Sequence, residues 1–133
     1  MCRIFSTVLM IGARDKAHGL QHLPLRVLLM DTGRQALQCL RDEPVDSVIS
    51  RWDLPDMPNG LLLGRILAAR PKMPTIAVIE SGNTEQEILA RSLGLTAIVT
   101  DDTEADTLRQ LICQILHIEE VICLHAAAAD PYD

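Results

Sequence analysis

Five short apolar runs divide the chain: residues 8–12 (VLMIG), 25–30 (LRVLLM), 48–52 (VISRW), 75–79 (TIAVI) and 97–100 (AIVT). They are nearly continuous rather than alternating, which is the pattern of strands buried on both faces. The segments between them switch to helical spacing. Residues 33–42 place Ala36, Leu37 and Leu40 on one face and stop before Pro44, and residues 61–70 stop at Pro71 and Pro74. Asn83 or Thr84 can cap a third helix carrying Ile88, Leu89 and Leu93, with Glu85 and Glu87 near its positive end and Gly94 as its stop. Thr103 can cap a last helix in which Leu108, Leu111, Ile112 and Ile115 recur at helical spacing, continued by Ile118 and Ile122. The first crossover, residues 14–23, is short and interrupted by Gly19 and Pro24, so a stunted first helix is expected there.

Strand, helix, strand throughout means parallel pairing with right-handed crossovers, hence an α/β doubly wound sheet with helices on both faces. In such sheets the functional crevice lies beyond the carboxyl ends of the strands. The residues to inspect are therefore 12–15, 51–56, 79–81 and 100–102.

Composition narrows the chemistry. The chain has 133 residues, enough for one domain with a real core, and is 48 % hydrophobic but only 2 % aromatic, so Leu, Ile, Val, Ala and Met must build that core. A net charge of −6 without any Lys/Arg run argues against direct nucleic-acid binding. Cys2, Cys39, Cys113 and Cys123 show no CxxC spacing and read as reduced thiols of a cytoplasmic protein. The apolar run near the N-terminus is too short for a signal peptide, and no segment is long enough to span a bilayer.

The segments VDSVISRWDLPDMPNG, MPTIAVIESG and LARSLGLTAIVT agree in order and spacing with the receiver domains of bacterial two-component signalling, which the chain resembles over about residues 7–116. The resemblance implies the CheY-like version of the fold, a five-stranded sheet of order 2-1-3-4-5 with a shortened first helix, over residues 1–118, followed by a C-terminal extension, 119–133. The LPDMPNG loop is one residue longer than is usual in that family.

Carried over by position, the family's chemistry is lost. Its metal-holding acidic pair falls on Gly12 and Ala13, its phosphoacceptor aspartate on Arg51, and its hydroxyl residue on Ile79 or Glu80, with Ser81 one place further on. Its lysine falls on Asp101, the following proline on Asp102, and its switch aromatic on Ile98. Phosphoryl transfer relies on a metal, a cation and an anionic nucleophile, so Gly12, Ala13, Arg51, Glu80 and Asp101 read as a degenerate pocket with no catalytic residue, cofactor or metal.

Arg51 and Asp101 exchange the charges that the family would place there. The expectation is a reversed ion pair, reaching also to Glu80 or Asp102, for which the planar guanidinium is suited; the competing reading has Arg51 extended into solvent. Partly buried, such a pair would cost about 3 kcal/mol to break; exposed, well under about 1 kcal/mol.

A displaced acceptor at Asp53, or a metal held by Asp53 and Asp56 with Asp15, Asp101 and Asp102, is the weaker alternative, since acidic residues in such loops are more often caps and turn formers. A small-ligand or metal-binding flavodoxin-like domain is the other rival. His18, His22, His117 and His125 show no ligand spacing, Trp52 should face the core, and no Gly-rich phosphate loop is present.

The C-terminal HIEEVICLHAAAADPYD carries Ile118, Val121, Ile122 and Leu124, too apolar for a solvated tail, and is expected to dock on the domain or on a second copy before fraying. Receivers continue from this end into an output domain. None follows in this sequence, which implies a stand-alone module or an excised piece. The function expected is thus a pseudo-receiver, a non-enzymatic interaction module with a histidine kinase, a transcription factor or itself as partner. By resemblance it would dimerise or bind through the face of helix 4, strand 5 and helix 5, counting the stunted crossover as helix 1. Ile88, Arg91, Ser92, Thr96, Leu108 and Ile112 are its candidate contacts.

Overall fold

The computed structural model describes residues 6–20 and 23–116. Strands β1 (Ser6–Ile11), β2 (Leu25–Met30), β3 (Ser47–Arg51), β4 (Thr75–Ile79) and β5 (Ala97–Thr100) form one all-parallel sheet of order β2-β1-β3-β4-β5. A 3-10 helix, Arg14–Leu20, makes the first connection, helices α1 (Gly33–Asp42), α2 (Leu61–Ala69) and α3 (Thr84–Ser92) make the later ones, and α4 (Ala105–Ile115) follows β5. The strand order, the parallel pairing and the shortened first crossover are those expected from the sequence. This is the flavodoxin-like doubly wound arrangement, whose crevice opens where the strand order reverses beside β1.

Alternation along each strand feeds two core layers. Val8, Met10, Ile49, Ile76, Val78 and Val99 pack under Leu108, Ile112 and Cys113 of α4, together with Leu20 and Leu23. Leu9, Ile11 and Val48 point the other way, onto Ala36, Cys39 and Leu40 of α1 and Leu62 and Ile66 of α2. Trp52 joins Leu63, Ala77, Ile79 and Ala90 beneath α3. Full burial of each large aliphatic side chain contributes about 1.5–3 kcal/mol, and the whole of β4 is buried, so the middle of the sheet is the rigid platform for the loops above it.

The 3-10 helix follows from its sequence. Seven residues at about 2.0 Å rise span about 14 Å, shorter than a six-residue strand at about 3.3 Å per residue, and the Lys16 N–H closes the tight i, i+3 ring onto the carbonyl of Ala13 at 3.0 Å.

Two helix starts repeat one device. Thr32 caps α1 by accepting from the Gln35 N–H (3.1 Å) while the Gln35 side chain accepts from the Asp31 N–H (3.0 Å). Asn83 caps α3 by accepting from the Gln86 N–H (3.0 Å), while the Gln86 side chain accepts from the Glu80 N–H (2.8 Å). Each is a capping box whose returning side chain reaches beyond the cap residue. Thr103 does not cap α4 as expected: Glu104 holds that position, and the Thr103 hydroxyl instead accepts from the Thr100 N–H at 3.0 Å.

Two partner-contact candidates are corrected. Leu108 and Ile112 are 1 % and 0 % exposed, because the apolar stripe of α4 faces the sheet. Ile88, by contrast, is 62 % exposed, with Leu89 and Leu93 also exposed, since α3 buries Gln86 and Ala90 instead. Arg91, Ser92 and Thr96 are exposed as well; Arg91 pairs with Glu87 at 2.8 Å, and the Thr96 hydroxyl accepts from the Thr75 N–H. Cys39 and Cys113 are buried and form no disulfide, and burial pushes the Cys39 thiol pKa up. The expectations for Cys2, Cys123, His22, His117, His125, Ile118, Val121, Ile122, Leu124 and the extension 119–133 lie outside the described residues.

Candidate functional site

The carboxyl ends of β1, β3, β4 and β5 bring Gly12, Ala13, Arg51, Glu80 and Asp101 to one edge of the sheet. Gly12 turns the chain out of β1 with φ +69°, its N–H bonded to the Met30 carbonyl at 2.9 Å. A Cβ there would come within 2.8 Å of Leu54 Cδ2 and 3.4 Å of Arg51 Cβ, so the space beside Gly12 belongs to side chains of β3 and the loop that follows it. Ala13 is fully buried in the core.

Arg51 uses that space. Its Nε donates to the Gly12 carbonyl at 2.8 Å, and its Nη2 lies 3.7 Å from Asp15 Oδ1, with the two side chains 35 % and 63 % exposed. The expected pairing with Asp101 does not form, nor does one with Glu80 or Asp102. The guanidinium turns toward β1 because Gly12 offers a bare carbonyl there. The Asp101 carboxylate is meanwhile engaged by the Ser81 N–H at 3.2 Å, and its carbonyl by the ammonium of Lys16 at 2.8 Å. Solvated and long, the Arg51–Asp15 pair is worth less than about 1 kcal/mol.

The acidic residues nearby are committed to local structure. Asp53 accepts from the Asn59 N–H (2.6 Å) and from the Gln86 side-chain amide (3.1 Å), tying the β3–α2 loop to α3. Asp56 accepts from the N–H groups of Gly33 (2.8 Å) and Arg34 (3.0 Å), a cap on α1 supplied from another loop, and those two bonds hold its pKa below the usual carboxylate range. The hydroxyls of Thr100 and then Ser81 lower that of Asp102. Arg14 grips Asp31 through two nitrogens, at 2.8 and 3.1 Å, and lowers its pKa likewise. Glu80 turns toward α3, accepting from the Asn83 side-chain amide at 2.9 Å.

A receiver-type Mg²⁺ does not fit these residues: the two positions after β1 carry no ligand atoms in their side chains, and the neighbouring group is a guanidinium that would repel the ion. Among the described residues no group of three His, Cys, Asp or Glu is arranged to hold a metal. His18 Nδ1 lies 3.0 Å from the Asp15 carbonyl oxygen. Two hollows open at this edge. One, of about 50 Å³, lies between Arg51, Trp52, Asp53, Val78, Glu80 and Gln86; the other, of about 220 Å³, lies between the 3-10 helix and the β5–α4 loop. Both are smaller than ordinary ligand pockets of about 300 Å³ or more.

Two residues central to this edge escaped the sequence reading. Gln86 had a usable signal, the NTEQ capping-box spacing. Lys16 had none beyond being a cation inside a short crossover.

The described residues therefore define a protein with the CheY-like receiver fold. Among solved structures, the signal receiver domain of an HD domain-containing protein from Pseudomonas fluorescens Pf-5 superposes with a TM-score of 0.76 at 24 % identity, covering 85 % of this chain and 95 % of that one. A response regulator receiver domain protein (CheY-like) from Methanospirillum hungatei JF-1 gives 0.75 at 19 % identity, over 85 % and 94 %. The receiver domain of a sensor histidine kinase from Pseudomonas aeruginosa PAO1, with a magnesium ion coordinated in its active site cleft, gives 0.74 at 16 % identity, over 85 % and 98 %. Among curated proteins, the transcriptional regulatory proteins GlrR and QseF, from two strains of Escherichia coli, are each 29 % identical over 86 residues. That match takes in 65 % of this chain and 19 % of each regulator, so the chain spans about a fifth of the curated relatives it matches. No family model matches the chain. No helix among the described residues is long and apolar enough to cross a membrane.

Proposed function

We propose that the chain is a pseudo-receiver: a non-enzymatic, phosphorylation-independent interaction module of two-component-type signalling, working in the cytoplasm. The observation that carries this reading is the place of Arg51. A guanidinium bonded to the Gly12 carbonyl stands where a receiver would hold its anionic acceptor, and the positions for the metal-binding pair are Gly12 and Ala13. The nearest substitute acceptor, Asp53, has both carboxylate oxygens hydrogen-bonded, one to the loop and one to Gln86.

Partner recognition falls to the exposed side of α3 and β5, where Ile88, Leu89 and Leu93 lie open beside Arg91, Ser92 and Thr96. A histidine kinase, a transcription factor or a second copy of the chain fits this reading, and pull-down from the source cells with an Ile88→Glu control identifies which. The decisive experiment is incubation with a small phosphodonor and Mg²⁺ followed by intact-mass measurement. No mass change is expected; a gain of one phosphoryl group overturns the proposal in favour of an acceptor at Asp53.

A further inference from the structure

Lys16 lies in the 3-10 helix and is 7 % exposed, although lysine is almost never buried without partners. Its Nζ donates to the carbonyl of Asp101 at 2.8 Å and lies 3.4 Å from that of Thr103. No carboxylate among the described residues forms an ion pair with it. Both acceptors are main-chain atoms of the loop between β5 and α4. A bond to a carboxylate can follow a moving side chain, whereas these bonds hold only while the loop backbone keeps its path.

The location is also unfavourable on general grounds. A cation near the start of α4 opposes the helix dipole, with Asp106 in the first turn offsetting part of that, and a buried ammonium costs free energy unless it is well bonded. The two carbonyls hold it there by direct hydrogen bonds, and the Asp102 carboxylate attracts it from further off. The same 3-10 helix makes a second, steric contact with the start of α4: a Cβ on Gly19 would lie 3.0 Å from Ala105 Cβ and 3.1 Å from its Cα and carbonyl oxygen. From the far side the loop is fixed by the Asp101 N–H on the Ile79 carbonyl (2.9 Å) and the Asp101 carboxylate on the Ser81 N–H (3.2 Å).

We infer that Lys16 is the latch of this sheet edge, a positioning residue that ties the first crossover to the β5–α4 loop and keeps that loop in a single conformation. This rests on the pseudo-receiver reading and deepens it: a site without a phosphorylation switch is held in its resting state from inside the domain. The cation that matters at Asp101 thus arrives from the first crossover, not from β3.

Hydrogen exchange in the full chain tests this with no phosphodonor present, so its outcome is separate from that of the mass measurement. In the parent protein the Asp101 and Thr103 amides are expected to be protected well beyond those of open turns. Lys16→Met should speed their exchange about tenfold or more, leaving β1 and β3 amides unchanged, because local opening is distinct from global unfolding. Unprotected loop amides in the parent, an unchanged loop in the variant, or a uniform loss across the sheet each overturns the inference. If Lys16→Met does not fold, Gly19→Ala, which displaces the same helix from Ala105, is judged by the same criterion.

Discussion

The Nε of Arg51 lies 2.8 Å from the carbonyl oxygen of Gly12, so the last side chain of β3 is tied back onto the end of its neighbour β1. Its charge is balanced toward the 3-10 helix and Asp15, away from β5. A double-mutant cycle in urea on Arg51 and Asp101 should therefore return no coupling energy, while Arg51 and Asp15 should couple by less than about 1 kcal/mol. Coupling of about 2 kcal/mol or more to Asp101 would mean the guanidinium turns the other way in solution.

Gln86 is 9 % exposed and bridges the Glu80 N–H to the Asp53 carboxylate. Replacing it with Leu keeps the volume but leaves the Glu80 N–H without its acceptor, a loss of about 1–3 kcal/mol. Chemical denaturation reads this directly, and an unchanged midpoint would show that water replaces the amide.

Asp56 gives the fold a pH dependence of defined sign. Its folded pKa is depressed by the Gly33 and Arg34 N–H groups, so its contribution is fully present above the unfolded carboxylate value of about 3.9 and is lost as pH falls through the folded one. Asp31, lowered by Arg14, adds in the same sense. Asp56→Asn should thus unfold at lower urea than the parent at pH 7, with the gap narrowing once the pH falls below the unfolded carboxylate value of about 3.9. A gap constant with pH would assign the loss to something other than ionisation.

Gly60 has φ +72°, and a Cβ on it would sit 2.4 Å from the Trp52 ring. Gly60→Ala should cost about 2 kcal/mol or more, since both the left-handed backbone and the ring must adjust. Trp52 is the chain's single tryptophan, so its fluorescence maximum should shift to longer wavelength in the folded variant. An unshifted spectrum would mean that the loop moves and the ring does not.

Elements were legible wherever periodicity and stop signals coincided. The five apolar runs became the five strands, and Pro44 and Pro71 ended helices where expected; full burial holds for β4 and nearly all of β1 and β3, whereas the edge strands β2 and β5 are only partly buried. The stunted first crossover was visible too, in Gly19 and Pro24. Side-chain pairing was not legible. Arg51 and Asp101 do lie at the same edge, but which acceptor a long cation chooses depends on ångström-scale competition between a bare carbonyl at Gly12 and a carboxylate already engaged by Ser81. Leu108 and Ile112 were misplaced for a related reason: a helical stripe shows that one face is apolar, not whether a partner or the sheet covers it.

The 3-10 connection from β1 to β2 is the shortest crossover of the sheet. Loop-closure entropy grows with the number of residues enclosed, so pairing β2 with β1 is the least costly long-range step open to the unfolded chain. The strand at the opposite edge, β5, joins across a longer connection, and α4 follows it. In kinetic language, the residues around Gly19 are in place early and wait for Ala105. Substitutions that disturb only the Gly19–Ala105 contact should act mainly on the unfolding rate, the signature of contacts made after the transition state.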